Sequence, residues 1–462
     1  MRILFVSPSL GWTDSAAIAS LSAIAKASGH QTYYTHLDKQ NEDWMTAVQE
    51  IDPRIIAYSS DTGGWPCCVE RNQQAQQKFD FVSIAGGSHP TQCPESFDAS
   101  GMDAFCVGEG EGAWEDFLRA VDGGTPFSRI PNIIAWEGNE KKMNPVRPYI
   151  ANLNTLPMPD RDLVLGTTRL HATEKKTFFT SRGCPFRCAY CQNDTWKAIY
   201  SGKGKPVRRF SPERVIREME MVKAAHNMTF VKIDDDCFAT RVDEWLQELC
   251  DHYRARIGLP FNCLLRLDHI DDMLLSMLNK AGCYSVHLSV DSTNPSIRER
   301  MLNRRYTNDD ILRKLHQIHR YGIRTWVNFM LTLPGSTVQD DLDTIAFARR
   351  GRVTYSSYTT TVPTPGTALY QTCKAQGLLP TGKENMSGEL FYRPSLLKGF
   401  SESRKRTSYN VFLLGPHLAK LPVGLSRLGT ILLRYLPNLR IFRKIRDWGY
   451  EQAVTNTIYK LK

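Results

Sequence analysis

The stretch Thr180-Ser181-Arg182-Gly183-Cys184-Pro185-Phe186-Arg187-Cys188-Ala189-Tyr190-Cys191-Gln192-Asn193 constrains this chain more than any other. Its three cysteines are spaced Cys-x-x-x-Cys-x-x-Cys, just after the β-rich run Lys176 to Thr180. Gly183 and Pro185 disfavour a helix, so the thiols fall on one short loop at the end of a strand. Thiolates are soft ligands for zinc, copper(I) and iron–sulfur clusters, and three of them leave a four-position site one ligand short. A structural zinc site is closed by four protein ligands, and no further Cys-x-x-Cys or His-x-x-x-His pair stands nearby. The spacing favours an open iron–sulfur site over zinc or over buried, unligated cysteines.

The rest of the region fits an α/β barrel. Strands are expected at 176–180, 230–233, 261–265, 285–290, 324–330 and 353–359, with helices between them. Ser211-Pro212 opens one helix, and Thr307 with Asp310 and Thr337 with Asp340 open two more. Six βα units suit an open partial barrel whose chemistry lies at the carboxyl ends of its strands. Those ends carry Asp234-Asp235-Asp236, Arg266-Leu267-Asp268, Ser289-Val290-Asp291-Ser292 and, from Asn328 onward, Leu333-Pro334-Gly335-Ser336-Thr337. The three aspartates do not read as a divalent-cation site, because consecutive strand residues point to opposite faces.

The cysteine loop, with aromatic Tyr190 just before its last cysteine, resembles the cluster loop of the radical S-adenosylmethionine enzymes, and the strand-end residues follow it in the family's order. The resemblance implies that Cys184, Cys188 and Cys191 hold a [4Fe–4S] cluster whose fourth iron takes the amino and carboxylate groups of S-adenosylmethionine. An electron from the cluster then cleaves the sulfonium to a 5′-deoxyadenosyl radical. The resemblance also implies that Tyr190 lies near the adenine and that Asp235, Arg266, Ser289, Asp291 and Asn328 are cofactor-binding positions. Asp291 stands where many relatives have glutamate, at the amino group of S-adenosylmethionine. No catalytic side chain beyond these is assigned.

Residues 1 to about 125 alternate strands near 3–6, 32–35, 54–59, 81–85 and 104–107 with helix-length segments such as 16–27 and 44–50. That pattern implies a doubly wound parallel sheet, which binds ligands at the carboxyl ends of its strands. Small and polar residues gather there: Ser7 to Trp12, Ser59-Ser60-Asp61-Thr62-Gly63-Gly64, Gly86-Gly87-Ser88-His89-Pro90-Thr91 and Gly108-Glu109-Gly110-Glu111-Gly112. The last is not a dinucleotide fingerprint; its glutamates either favour the positive end of the following helix or touch a ligand directly. The order of these loops resembles the cobalamin-binding domain that precedes many radical S-adenosylmethionine enzymes. That resemblance implies Ser60, Thr62, Gly86, Gly87, His89, Gly108, Glu109 and Gly110 as cobalamin contacts. The Asp-x-His-x-x-Gly motif that supplies an imidazole to cobalt is absent, so His89 is expected to position its loop or to meet the corrin edge.

The expected organisation is a cobalamin-binding-like domain over 1–150, a proline-punctuated linker over 151–170, the radical barrel over 171–380 and a basic helical region over 381–462. A hairpin over 127–150 turns at Glu137-Gly138-Asn139. From Phe391 to Lys462 there are fourteen Lys and Arg against three Asp and Glu, so the net +10 of the chain sits in this tail. Its apolar segments, broken at Pro416, Pro422 and Pro437, are studded with arginine and lysine. Such segments either favour an anionic membrane surface or an acidic partner, or form a helical cap over the barrel mouth with a solvated basic face. Nucleic acid is not expected, since no recognisable binding motif accompanies the charge. The N-terminus reads as a buried strand without the features of a signal peptide, and no apolar run reaches membrane-spanning length. The expected location is therefore cytoplasmic, with peripheral contact on the inner face of the membrane if the tail is a surface-binding element.

The function expected from both resemblances is that of a cobalamin-dependent radical enzyme, a class B-like methyltransferase acting on an unactivated carbon of a hydrophobic or natural-product-like small molecule. It would draw electrons from a reductase or flavodoxin-type donor. Two alternatives stay open: the same cofactors used for cyclisation, ring contraction or oxidation without methyl transfer, and an electron-transfer or zinc-stabilised binding protein.

Overall fold

The computed structural model describes residues 1–10, 15–37, 44–380 and 391–461; Gly11 and Trp12 of the first strand-end loop lie outside them. The chain forms two compact units, one from Met1–Thr173, Thr195–Phe210 and Met221–Asn227, the other from Glu174–Asp194, Ser211–Glu220 and Met228–Lys462.

In the first unit β1 (Arg2–Ser7), β2 (Gln31–His36), β3 (Ile55–Ser59), β4 (Val82–Gly86) and β5 (Ala104–Cys106) run parallel in the order β2-β1-β3-β4-β5. Ile3 to Val6 and Ile55 to Tyr58 are continuous buried runs, as a sheet covered on both faces requires. Leu4, Val6, Ile56 and Tyr58 pack with Trp44, Val48 and Trp65 on one face, while Phe5 meets Trp114 on the other. The hairpin β6 (Ile133–Glu137) and β7 (Glu140–Met143) turns at Gly138, as expected, and extends the same sheet as an antiparallel edge.

The second unit is a six-stranded parallel sheet of β8 (Lys175–Phe178), β9 (Phe230–Ile233), β10 (Phe261–Leu264), β11 (Cys283–Asp291), β12 (Arg324–Leu331) and β13 (Tyr355–Thr360), each paired with its neighbour in sequence. Along β11 the side chains alternate. Val286, Leu288 and Val290 are buried apolar positions, and Ser285, His287 and Ser289 share the other face.

The C-terminal region is helical, as expected. Helix Glu402–Leu418 packs on β13 and on helix Val338–Arg350. Gly415 permits the close approach, because a β-carbon there would run into the Tyr358 ring. Pro416 does not break this helix; it falls in the last turn, which closes at Leu418. Further on, Val454, Ile458 and Tyr459 pack with Phe230, Trp326 and Tyr355 near the amino ends of the strands, and Ser285 Oγ donates to the carbonyl of Ile458 at 2.8 Å. The chain thus fills the base of its own barrel.

Asp341 holds the tail helix to the barrel. Its carboxylate accepts from the backbone N–H of Thr332, a β-branched residue at φ 57, and from Ser408 Oγ at 2.6 Å. Burial pushes the carboxyl up to about 6, against the opposing pull of the Ser408 hydrogen bond. With the folded value above the ordinary 3.8, the stability this group contributes is fully present below about pH 4 and is lost as pH rises through 6. Over that window the loss is on the order of 3 kcal/mol. Asp341→Asn should flatten this slope when unfolding free energies are measured in urea from pH 4 to 7. A variant that merely shifts the curve without changing its slope would contradict the assignment.

Candidate cluster and cofactor site

The cysteine loop is fixed at three points. At its root, Asp235 is fully buried and accepts from the N–H and Oγ of both Thr180 and Ser181, the four distances lying between 2.5 and 3.2 Å. In the middle, Ala189 N–H donates to the Leu302 carbonyl at 3.1 Å, and Asn303, at φ 55, donates its amide to the Arg187 carbonyl at 2.8 Å. From the far side Leu369 N–H donates to the Ala189 carbonyl at 2.8 Å. Gly183, at φ 82, makes the left-handed turn that starts the loop.

None of the twelve cysteines forms a disulfide. Two sulfurs of the loop receive donors: Arg266 reaches Cys188 Sγ at 3.3 Å, and the Asn193 amide reaches Cys191 Sγ at 3.7 Å. Arg266 is held for this by Asp268, which it binds through two nitrogens at 2.9 and 2.7 Å, and by the Phe186 ring, 3.8 Å from its guanidinium carbon. Among the described residues no three His, Cys, Asp or Glu side chains are grouped to hold a single metal ion. A single tetrahedral ion would draw its sulfurs to roughly 3.8 Å of one another. Three soft thiolate donors on one short, anchored loop suit a cluster that takes one thiolate per iron.

Tyr190 packs beside Ile297, Leu302 and Leu333, and its hydroxyl donates to Asp291 at 3.2 Å. The Asp291 carboxylate also meets the Arg304 guanidinium in a buried ion pair, with the two side chains 3% and 4% exposed. The charge of Asp291, which the resemblance implies at the amino group of S-adenosylmethionine, is matched within the chain by Arg304. Asp291 sits at φ 63 where the β11–β12 register shifts, a conformation uncommon for a residue with a side chain. Asp235 is likewise bonded within the chain, at the loop root. Ser289 and Asn328 are register partners on β11 and β12. Near them Asn328 Oδ1 and both ring nitrogens of His287 are buried without a hydrogen bond of ordinary geometry. His287 stacks on Trp326 at 4.5 Å, and burial lowers its pKa to about 4, so it is neutral. The Asn328 amide also acts on the His287 ring, and this pair suits a polar ligand in the barrel, the neutral imidazole having one donor and one acceptor nitrogen.

In the first unit the ends of β3, β4 and β5 carry the small residues Ser60, Gly86-Gly87, Gly108 and Gly110. Gly87, at φ 101, lies so close to Ser60 that a β-carbon would stand 2.8 Å from its carbonyl oxygen. His89 Nδ1 bonds Thr62 Oγ1 at 3.3 Å and Nε2 bonds Ser96 Oγ at 3.0 Å, while its ring stacks on Trp65 at 4.7 Å. Burial lowers its pKa to about 4. With both nitrogens engaged, His89 positions the loop. The small-residue floor fits a broad, flat cofactor at these strand ends.

Glu109 takes partners that the sequence reading did not assign. Its carboxylate takes Arg208 at 2.9 and 2.8 Å and the backbone N–H of Ile150 at 3.1 Å, and the Arg208–Glu109 side chains are 7% and 10% exposed. Its own N–H donates to Tyr200 at 2.6 Å, and Tyr200 closes over Gly108, where a β-carbon would strike the ring. Tyr149 stacks on Tyr200 at 3.9 Å with Arg208 over its other side. Sequence reasoning missed Arg208, Tyr200 and Tyr149. Only spatial pairing reveals these contacts.

Comparison with known proteins agrees with this geometry. The radical SAM superfamily model matches residues 178–348, and the B12 binding domain model matches residues 5–118. An uncharacterized methyltransferase, PH0819, of Pyrococcus horikoshii is 24% identical over 73% of this chain and 73% of its own. The anaerobic magnesium-protoporphyrin IX monomethyl ester cyclase of Rubrivivax gelatinosus is 25% identical over 80% of this chain and 70% of its own. Among solved structures, the cobalamin-dependent S-adenosylmethionine radical enzyme OxsB, with aqua-cobalamin and S-adenosylmethionine bound, has the same fold. The superposition has a TM-score of 0.69 at 14% identity and covers 99% of this chain and 73% of that one.

Proposed function

Because the chain belongs to the radical S-adenosylmethionine superfamily and carries a B12-binding domain, we propose that it is a cobalamin-dependent radical methyltransferase acting on an unactivated carbon of a hydrophobic small molecule. The observation that carries the reading is the thrice-anchored loop of Cys184, Cys188 and Cys191 in a chain that also has the small-residue strand ends of a B12 domain. When bound, the [4Fe–4S] cluster with S-adenosylmethionine supplies a 5′-deoxyadenosyl radical, and cobalamin supplies the methyl group.

The chain's own residues have distinct tasks. Cys184, Cys188 and Cys191 would hold three irons. Arg266 and Asn193 aim N–H groups at two of the sulfurs, the kind of donors that surround cluster thiolates. Ser289, His287 and Asn328 offer polar partners inside the barrel for S-adenosylmethionine or substrate, with His287 uncharged near neutral pH. Ser60, Thr62, Gly86, Gly87, Gly108 and Gly110 would form the floor beneath the corrin, with His89 and Glu109 holding the loops in shape. A small reductase or flavodoxin-type protein would deliver the electron.

The similarity to the magnesium-protoporphyrin ester cyclase favours one second reading: the same cofactors used for cyclisation or oxidation. Anaerobic reconstitution with iron, sulfide and hydroxocobalamin, followed by reductant and S-adenosylmethionine, separates the two by product analysis. Bound cobalamin with both S-adenosylhomocysteine and 5′-deoxyadenosine is the expected result. Deoxyadenosine without S-adenosylhomocysteine would support cyclisation or oxidation, and neither nucleoside would refute both readings.

A further inference from the structure

We propose that residues 421–448 form a docking face for an anionic lipid bilayer. Helix Val423–Leu432 is inside out. Its buried residue is Ser426, and Gly429 lies against Leu418, whereas Leu425, Leu428 and Ile431 are 57%, 55% and 51% exposed. A helix on a water-facing surface turns its apolar side inward. This one turns it outward, although the same chain buries Val411, Phe412 and Leu413 in the preceding helix.

Helix Arg440–Glu451 continues the face. None of its residues is fully buried. Ile441, Ile445 and Trp448 follow one another along one side at helical spacing, with Arg440 and Lys444 beside them. Its other side anchors the helix to the protein: Arg443 lies over Tyr409, and Arg446 lies over Phe412 and Tyr392. Of the eighteen large apolar side chains exposed among the described residues, eleven fall between Leu421 and Trp448. Monomers rarely leave so concentrated a patch to water.

The charge chooses the occupant. From Ala419 to Tyr450 there are seven Lys and Arg and one acid, Asp447. A second copy would bring the same positive face and repel, whereas an anionic bilayer complements it and takes up leucine and tryptophan at its interface. No helix among the described residues is long and apolar enough to cross a membrane, so the contact lies in the surface plane.

Sedimentation of the full chain with phosphatidylcholine vesicles, with and without phosphatidylglycerol, tests this at low and high salt. Binding should be at least about tenfold tighter to the anionic vesicles and should weaken with salt. Leu428→Glu with Ile431→Glu, and separately Arg440→Glu with Lys444→Glu, should each weaken it by about tenfold or more. Absence of binding, or equal binding by these variants, would overturn the proposal. So would a vesicle-independent dimer, seen by light scattering, that the same substitutions dissociate. The readout is independent of turnover, so its failure leaves the methyl-transfer reading to its own product assay.

Discussion

Cys188→Ala should reduce 5′-deoxyadenosine formation to background and lower the iron bound after anaerobic reconstitution. Three thiolates are the fewest that leave one iron open to S-adenosylmethionine, and Cys188 is the sulfur that Arg266 addresses. Losing it removes a ligand and leaves a guanidinium, already fixed by Asp268 and Phe186, pointing at nothing. The fold should survive, because Cys188 is only half-buried and its loop is held by backbone hydrogen bonds from Leu369, Ala189 and the Asp235 anchor. Far-UV dichroism and the urea midpoint should therefore stay close to the parent. Cys250→Ala is the control, since that thiol is buried in the second unit away from the loop and burial pushes its pKa up to about 12. Wild-type rates of deoxyadenosine formation by the Cys188 variant would overturn the cluster assignment.

The second large effect is expected at Arg304. Removing one partner of a buried ion pair leaves the other charge without compensation, at about 3–5 kcal/mol. Here the stranded group would be Asp291, at a left-handed bulge that also receives the Tyr190 hydroxyl. Arg304→Ala should therefore lower the unfolding free energy by about that amount and shorten the lifetime of the cluster chromophore in air. Asp291→Ala in the same chain should restore much of the stability, giving a coupling above about 1 kcal/mol in a double-mutant cycle. Strictly additive losses would mean that the two side chains act independently.

The sequence revealed the features that repeat or cluster along it. The three cysteines lie within eight residues, and the strands of both sheets are apolar runs punctuated by glycine and proline, so the parallel sheets and the partial barrel could be read directly. Partnerships across long separations could not. Glu109 looked like a helix-end or ligand carboxylate because Arg208 stands 99 positions away, and Asp235 looked like a cofactor residue because its partners precede it by 54 and 55. Asp291 was placed correctly at a strand end but its ion pair was not legible, since Arg304 reaches it only after the chain has turned through helix Pro295–Leu302. The tail stayed open between two readings for a different reason: composition gives its charge and apolar content but not which side of each helix faces the protein, and helices Glu402–Leu418 and Val423–Leu432 make opposite choices.

The filling of the barrel base by Val454, Ile458 and Tyr459 bears on how the protein is made. On the ribosome, β8 through β13 emerge long before these residues, so the nascent barrel can pair all six strands while Phe230, Trp326 and Tyr355 still line an empty aromatic cup. Until translation reaches Tyr459, that cup is the stickiest part of the emerging chain, and chaperone binding or misassembly would concentrate there.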